Sequence, residues 1–142
     1  IAELSKRMSA KKAEISLNCT EPSAIAEYYM ERLRHEEQEK ALLLCLNSQL
    51  RLIDESVLSI GCVSSAYVSP RDVFMHAVRA GAAAIILLHN HPGGNPHPSK
   101  SDVEITNKIR QSGNMLGIIL QDHIIIGDKS YYSFAREGLM WY

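Results

Sequence analysis

Residues 89–102 hold two histidines, a serine and an aspartate at set spacing, directly after an apolar run. Side chains of an extended backbone alternate between faces, so His89 and His91 point to one side and Asn90 to the other. Two imidazoles on one side can bind the same metal ion, and Asp102 can supply a third ligand. Three protein ligands leave one zinc position open, as in catalytic sites. The spacing therefore predicts one zinc ion per chain.

The residues after this loop predict a helix that positions Asp102. Pro98 does not suit a strand interior, and Ser99 is a preferred N-cap residue, so we expect a helix that begins at Ser99 and ends at Gly113. Asp102 then lies in the first turn, where the helix dipole favours a carboxylate. Ser99 and Asp102 also match an ordinary S-x-x-D capping box, which for Asp102 alone is the commoner role. The neighbouring histidine pair favours the metal site.

The ligand set alone does not choose the metal, because two histidines and one carboxylate also suit non-haem iron. Three further histidines are interpreted as residues that do not bind the ion. His97 lies in a loop rich in Gly, Asn and Pro and is expected to be exposed. His76 is expected to be a packed or solvated helix residue, and His123 a sheet residue or one that supports a ligand.

Water at such a site needs a proton acceptor, and zinc hydrolases usually use a carboxylate that does not bind the metal. An acidic cluster, residues 36–39, ends just before the apolar run 41–46. Glu39 is the best placed member of the cluster. Its spacing hardly separates it from Glu36 and Glu37, however, and an acidic stretch of this kind is usually a solvated surface.

The chain resembles the RadC proteins, a bacterial branch of the JAMM (MPN-type) metallopeptidase superfamily, over roughly residues 20–140. The superfamily pattern is a glutamate, then H-x-H, seven residues, Ser, two residues and Asp. This chain has His89, His91, Ser99 and Asp102 in that register. Other segments that resemble RadC proteins are residues 69–72, 82–92 and 122–127.

The resemblance implies roles for two residues beyond the ligands. Aligning residues 46–47 with the end of the family's strand makes Glu39, at its start, the proton acceptor. The hydroxyl of Ser99 would polarise the substrate carbonyl or hold the oxyanion, in addition to capping the helix. Gly93 stands where RadC proteins commonly have serine, and Ala41 where a larger apolar residue is usual. Neither difference removes a ligand.

Length and composition fit a single cytoplasmic domain. The 142 residues are enough for a real core. A net charge of -1 and the lack of a dense basic run predict weak or no DNA binding by this fragment. Cys19, Cys45 and Cys62 lack C-x-x-C spacing and are interpreted as small buried hydrophobes in a reducing compartment. Because there is no leader or long apolar span, we expect no membrane association.

The chain begins with Ile1, and RadC proteins usually carry an N-terminal helical region. We therefore expect residues 1–19 to be a partly mobile connector from a missing N-terminal region. Residues 20–142 are expected to form the RadC-like JAMM/MPN domain.

The hydrophobic pattern alternates helices and strands and predicts an α/β fold, a three-layer α/β/α sandwich around a mixed sheet. Residues 82–88 are apolar throughout, as in a central strand covered on both faces. In such sheets, binding sites form outside the carboxyl ends of strands, where His89 and His91 lie. The predicted helices are 20–38, 69–81 and 99–113, and the predicted strands are 42–46, 51–60, 82–88, 116–120, 123–126 and 131–134.

The site residues predict a zinc-dependent metallohydrolase, and the resemblance to RadC and JAMM proteins implies peptidase or isopeptidase chemistry on an unidentified peptide or protein substrate. Glu39 would take a proton from zinc-activated water and return it to the leaving amine, while Ser99 helps to polarise the carbonyl. Three alternatives stay open: a metal-dependent phosphodiester hydrolase, a DNA-repair-associated adaptor with a structural or vestigial metal site, and a non-haem iron oxygenase. The last is disfavoured because no further residues suggest a clamp for a cosubstrate carboxylate. The sequence does not indicate an oligomeric state.

Overall fold

The computed structural model describes residues 17–61 and 68–140, so Cys62 and residues 1–16 of the predicted connector lie outside the described residues. Within the described ranges, none of the helices combines the length and apolarity needed to cross a membrane. The elements there are helices α1 (Pro22–Leu33), α2 (Pro70–Ala80) and α3 (Lys100–Leu116), and strands β1 (Glu39–Leu46), β2 (Leu52–Gly61), β3 (Ala84–Asn90), β4 (Ile119–Ile126) and β5 (Tyr131–Ser133).

The strands form one five-stranded mixed sheet in the order β2-β1-β3-β4-β5. Strand β1 runs antiparallel to both β2 and β3, β3 runs parallel to β4, and β4 runs antiparallel to β5. All seven residues of β3 are buried, as predicted for a central strand. This arrangement confirms the predicted α/β fold with a mixed sheet.

Two separate cores, one on each face of the sheet, make the three layers. On one face, which we call the α2/α3 face, Leu43 and Ile85 pack with Val73 of α2 and Ile109 of α3. On the opposite, α1 face, neighbouring strand residues such as Leu44 pack with the helix α1. Along β1 and β3, successive side chains therefore point to opposite faces of the sheet and belong to the two cores in turn.

Helix α1 is shorter than predicted, and β1 is longer. The helix ends at Leu33 rather than residue 38, and β1 begins at Glu39 rather than residue 42. Residues 35–40 are all polar and offer no apolar face that a helix could bury. Glu39 instead pairs with Gly61 of β2, so pairing with a distant strand draws the end of the acidic cluster into the sheet.

Helix α2 has the predicted ends. The Ser69 hydroxyl oxygen accepts a hydrogen bond from the backbone N–H of Asp72 at 3.1 Å, Pro70 occupies the first turn, and Gly81 ends the helix with a φ of 69°. These signals lie within a few residues of each end, which is why the sequence predicts them.

Helix α3 begins after Ser99 as predicted, but the prediction that it ends at Gly113 is wrong. The helix continues to Leu116, and Gly117, with a φ of 74°, is the residue that ends it. A Cβ at Gly113 would lie 2.2 Å from the carbonyl oxygen of Ile118 and 3.3 Å from the ring of Phe74. Gly113 therefore permits close packing rather than a change of direction.

Strand β4 is continuous over the region predicted as two strands, and it begins at Ile119 rather than at Leu116. Its register with β3 slips by one residue, because Ile85 pairs with Leu120 while Ile86 pairs with Asp122. Gln121 is thus the extra residue of a β-bulge, which changes the face that the following side chains occupy.

Candidate metal centre

His89 is the penultimate residue of β3, and His91 follows the end of the strand. The Nε2 atoms of the two rings lie 3.1 Å apart, on the same side of the backbone. Asn90 points to the opposite side, where it hydrogen-bonds to the backbone around Glu39. The prediction that His89 and His91 converge while Asn90 faces away is confirmed.

Asp102 reaches the two imidazoles from the first turn of α3. Its Oδ1 lies 3.3 Å from His89 Nε2, and its Oδ2 lies 3.4 Å from His91 Nε2. The capping box is present as well: Oδ2 accepts a hydrogen bond from the Ser99 N–H at 2.8 Å, and Ser99 Oγ accepts one from the Asp102 N–H at 3.1 Å. The cap and the convergence on the histidines are therefore compatible, and the cap holds the carboxylate in place.

The spacing of these atoms fits a metal ion. Zinc bonds of ~2.0–2.1 Å in a tetrahedron place neighbouring ligand atoms about 3.3 Å apart. The nitrogen–nitrogen distance of 3.1 Å is close to such an edge, and each imidazole nitrogen lies near one carboxylate oxygen, His89 Nε2 at 3.3 Å from Oδ1 and His91 Nε2 at 3.4 Å from Oδ2. His89, His91 and Asp102 thus form a group that can hold a metal ion.

The electrostatics of the group follow from the same contacts. Burial by itself raises the pKa of Asp102, but hydrogen bonds with His89 and His91 outweigh it and hold the pKa well below its usual range. The hydrogen bond with Asp102 raises the pKa of His91, against a smaller opposing effect of burial. Without a metal, the carboxylate and His91 therefore favour each other's charged forms.

The loop after β3 orients the ring of His91. Its Nδ1 donates to the carbonyl oxygen of Asn95 at 2.8 Å, so when the ring is neutral its lone pair is on Nε2 and is directed at the metal group. Gly127, just after β4, lies against this loop: a Cβ there would be 2.3 Å from the carbonyl oxygen of Gly94 and 2.8 Å from Pro96 Cδ. The absence of a side chain at Gly127 thus lets the loop approach β4.

Glu39 lies on the same face of the sheet as the metal group. Ala41 pairs with His89 in the antiparallel register of β1 and β3, so Glu39, two residues earlier, comes opposite His91. Its carboxylate contributes to the raised pKa of His91, consistent with this proximity. By contrast, Glu37 is exposed, and Glu36 forms an ion pair with Lys40 at 3.8 Å. The structure therefore brings Glu39 to the histidines.

For Asn90, the sequence predicted the direction of the side chain but not the contacts that it makes. Its Oδ1 accepts a hydrogen bond from the Lys40 N–H at 2.7 Å, and its Nδ2 donates to the Gln38 carbonyl oxygen at 3.1 Å. These two peptide groups lie on either side of Glu39. Asn90 thus ties the end of β3 to the start of β1, and the only sequence signal for it is an amide between two histidines.

His123 supports His89, in agreement with one of the two roles predicted for it. Its Nε2 lies 2.8 Å from His89 Nδ1, and its Nδ1 lies 2.6 Å from the hydroxyl of Thr106. Complete burial and the nearby charge of His89 lower its pKa well below the usual range. Thr106 had no predicted role, because the contact depends on the packing of α3 against β4.

His97 and His76 do not belong to the metal group. His97 is exposed in the loop and packs edge-on against Tyr132, with ring centroids 5.9 Å apart. His76 is partly buried on α2. Cys19 and Cys45 are free and buried, which raises their thiol pKa values to about 11 and about 12 respectively.

The five-stranded mixed sheet with helices on both faces is consistent with the JAMM/MPN-like fold, and the group of two histidines and an aspartate lies at its strand ends. The sequence profile of the family described as RadC-like JAB domain matches residues 19–139. The chain therefore belongs to this family.

Curated relatives agree with this assignment. A UPF0758 protein of Geotalea uraniireducens (strain Rf4) is 43% identical over 138 residues, which cover 97% of this chain and 60% of the relative. A UPF0758 protein of Syntrophotalea carbinolica is 39% identical over 140 residues, which cover 99% of this chain and 62% of the relative. The chain thus spans about three fifths of the length of the curated relatives it matches.

Proposed function

We propose that this domain is a zinc-dependent hydrolase of peptide or isopeptide bonds. The observation that carries the proposal is the convergence of His89, His91 and Asp102, whose ligand atoms form a group that can hold a metal ion, with Glu39 near His91 on the same face. Two histidines and one carboxylate suit a zinc ion that keeps a position open for water.

Each residue has a distinct part in the proposed reaction. A zinc ion held by His89, His91 and Asp102 would supply Lewis acidity and would make a bound water nucleophilic near neutral pH. Glu39 accepts the proton of the attacking water and delivers it to the leaving amine. Ser99 Oγ accepts from the Asp102 N–H, which leaves the hydroxyl hydrogen to donate to the carbonyl oxygen of the substrate.

The test compares Glu39→Gln with Glu37→Gln, an equally small change at an exposed position of the same acidic cluster. Zinc-loaded proteins are assayed on linear peptides, isopeptide-linked peptides and a phosphodiester. Glu39→Gln should keep its zinc and lose ~10²- to 10⁴-fold in amide hydrolysis, the usual effect of losing a general acid–base. Glu37→Gln should retain the wild-type rate.

Other outcomes have definite meanings. Loss of zinc in Glu39→Gln would make Glu39 a ligand rather than a proton acceptor. Hydrolysis of the phosphodiester alone would overturn the amide assignment. No turnover of any substrate by the zinc-loaded wild type would contradict the hydrolase proposal and favour an adaptor function.

A further inference from the structure

We infer that His123 and Thr106 determine which ring nitrogen of His89 carries its proton, and that His123 is therefore a positioning residue for the metal ligand. The inference rests on the proposed metal site. It concerns a hydrogen-bonded chain that leads from one ligand, His89, through two buried side chains to the backbone of another, Asp102.

The donor and the acceptor of each hydrogen bond in this series follow from counting the available hydrogens. Thr106 Oγ1 lies 2.6 Å from the carbonyl oxygen of Asp102, one helical turn earlier. A carbonyl only accepts, so Thr106 spends its single hydroxyl hydrogen there. Thr106 Oγ1 must then accept at its second contact, the 2.6 Å approach of His123 Nδ1. Nδ1 of His123 is accordingly the protonated nitrogen.

The same count continues to His89. A neutral imidazole has one N–H, and His123 has used it at Nδ1, so its Nε2 can only accept. The donor across the 2.8 Å contact is therefore His89 Nδ1. His89 Nε2 is left with a lone pair, directed at His91 and Asp102. A helix hydroxyl thus selects the tautomer that a metal ligand needs.

The fold holds His123 firmly in this position. The bulge at Gln121 shifts the alternation of β4 by one residue, which brings His123 onto the α2/α3 face, where His89 also lies. Phe134 stacks on the ring, with centroids 4.8 Å apart and planes inclined by 6°. The backbone N–H of His123 donates to Asp122 Oδ1 at 2.7 Å. A bulge that aims a side chain is a known device beside functional sites.

Removing the hydroxyl of Thr106 should reverse the direction of the hydrogen bond between His123 and His89. In Thr106→Val, the His123 Nδ1–H would be buried without a partner, so His123 should move its proton to Nε2 and donate to His89 Nδ1. The proton of His89 then faces the metal group at Nε2. Zinc affinity should fall ~10- to 100-fold, as it does when other ligand-supporting partners are lost. Thr106→Ser keeps the hydroxyl and should therefore retain the zinc affinity of the wild type.

The experiment measures two quantities on the full chain for wild type, Thr106→Val, Thr106→Ser and His123→Gln. Zinc affinity comes from competition with a chelator, and ¹⁵N NMR of the zinc-free protein reports the His89 tautomer. Phe134→Leu is the packing control, because it removes the ring stacked on His123 and leaves the hydrogen bonds of His123 with His89 and Thr106 in place. It should unfold more easily yet keep the His89 tautomer and the zinc affinity.

The inference is contradicted if Thr106→Val leaves both the His89 tautomer and the zinc affinity unchanged, or if Phe134→Leu lowers affinity as much as Thr106→Val. His123→Gln, whose side-chain oxygen can still accept from His89, should lie between wild type and Thr106→Val. If the wild type binds no zinc, the proposed function fails, while the NMR measurement still decides the tautomer.

Discussion

Replacing Asp102 by asparagine should separate the two roles of this residue. The carboxylate accepts the Ser99 N–H in the capping box, at 2.8 Å, and it faces both histidines at 3.3 and 3.4 Å. Asparagine keeps an oxygen for the cap but loses the negatively charged oxygen with which Asp102 would bind a zinc ion. Alanine loses both functions. The two variants should therefore differ in folding and agree in failing to bind zinc.

The magnitudes follow from the contacts. In the zinc-free protein, both variants lose the interaction of the carboxylate with His91, and Asp102→Ala should cost about 1 kcal/mol more than Asp102→Asn, the usual effect of losing a helix-capping hydrogen bond. With free zinc at ~100 times its Kd, binding stabilises the wild type by about 2.7 kcal/mol. For a domain of this size, that corresponds to a rise in Tm of roughly 8–10 °C. Neither variant should show this rise.

The assay is thermal unfolding with and without a zinc buffer, combined with elemental analysis after dialysis. His97→Asn is a matched control, because His97 is an exposed histidine of the same loop. It should bind zinc like the wild type. The reasoning is refuted if Asp102→Asn keeps the wild-type zinc content and Tm rise. Equal zinc-free stability of Asp102→Ala and Asp102→Asn would refute the contribution of the carboxylate to the cap.

Three further predictions concern pH, packing and DNA. Because the pKa of His91 is raised in the folded state, His91 contributes stability to the zinc-free protein below pH ~6.5, and this contribution is lost as pH rises through the folded pKa. Because the pKa of Asp102 is lowered, Asp102 contributes stability above pH ~3.9, and this contribution is lost as pH falls through the folded pKa. The stability difference between wild type and His91→Gln, from urea unfolding, should therefore be largest between these limits, and a difference that grows above pH 8 would contradict the assignment. Gly113→Ala should destabilise by ~1–3 kcal/mol in urea, because its Cβ would lie 2.2 Å from the Ile118 carbonyl oxygen, and a gain in stability would contradict that close approach. This chain, with net charge -1, should bind duplex DNA with a Kd no tighter than the ~10⁻⁴ to 10⁻⁶ M of non-specific complexes. A salt titration giving ~10⁻⁸ M at physiological salt would favour the adaptor function.

Local patterns in the sequence were enough to predict several parts of the structure. The N-caps at Ser69 and Ser99 depend on hydrogen bonds that span three residues, and both are present. The central position of β3 follows from its apolar run, and the convergence of His89 and His91 follows from strand alternation. The caps and the convergence of the histidines depend on residues that are close along the chain, and the position of β3 is indicated by the composition of one short segment.

Tertiary contacts decided the remainder. The end of α1 and the start of β1 depend on the pairing of Glu39 with Gly61, and Gly113 is required by its approach to Ile118. The selection of Glu39 among its acidic neighbours depends on the register of β1 with β3.

The hydrogen bonds that orient His89 show most clearly what the sequence could not predict. His123 reaches it only because a bulge at Gln121 changes the face of β4, and Thr106 completes the chain only because α3 packs against that strand. The three candidate metal ligands are identified by residue type and spacing. The residues that orient them come from other strands and helices, and sequence distance contains no information about which of these will meet.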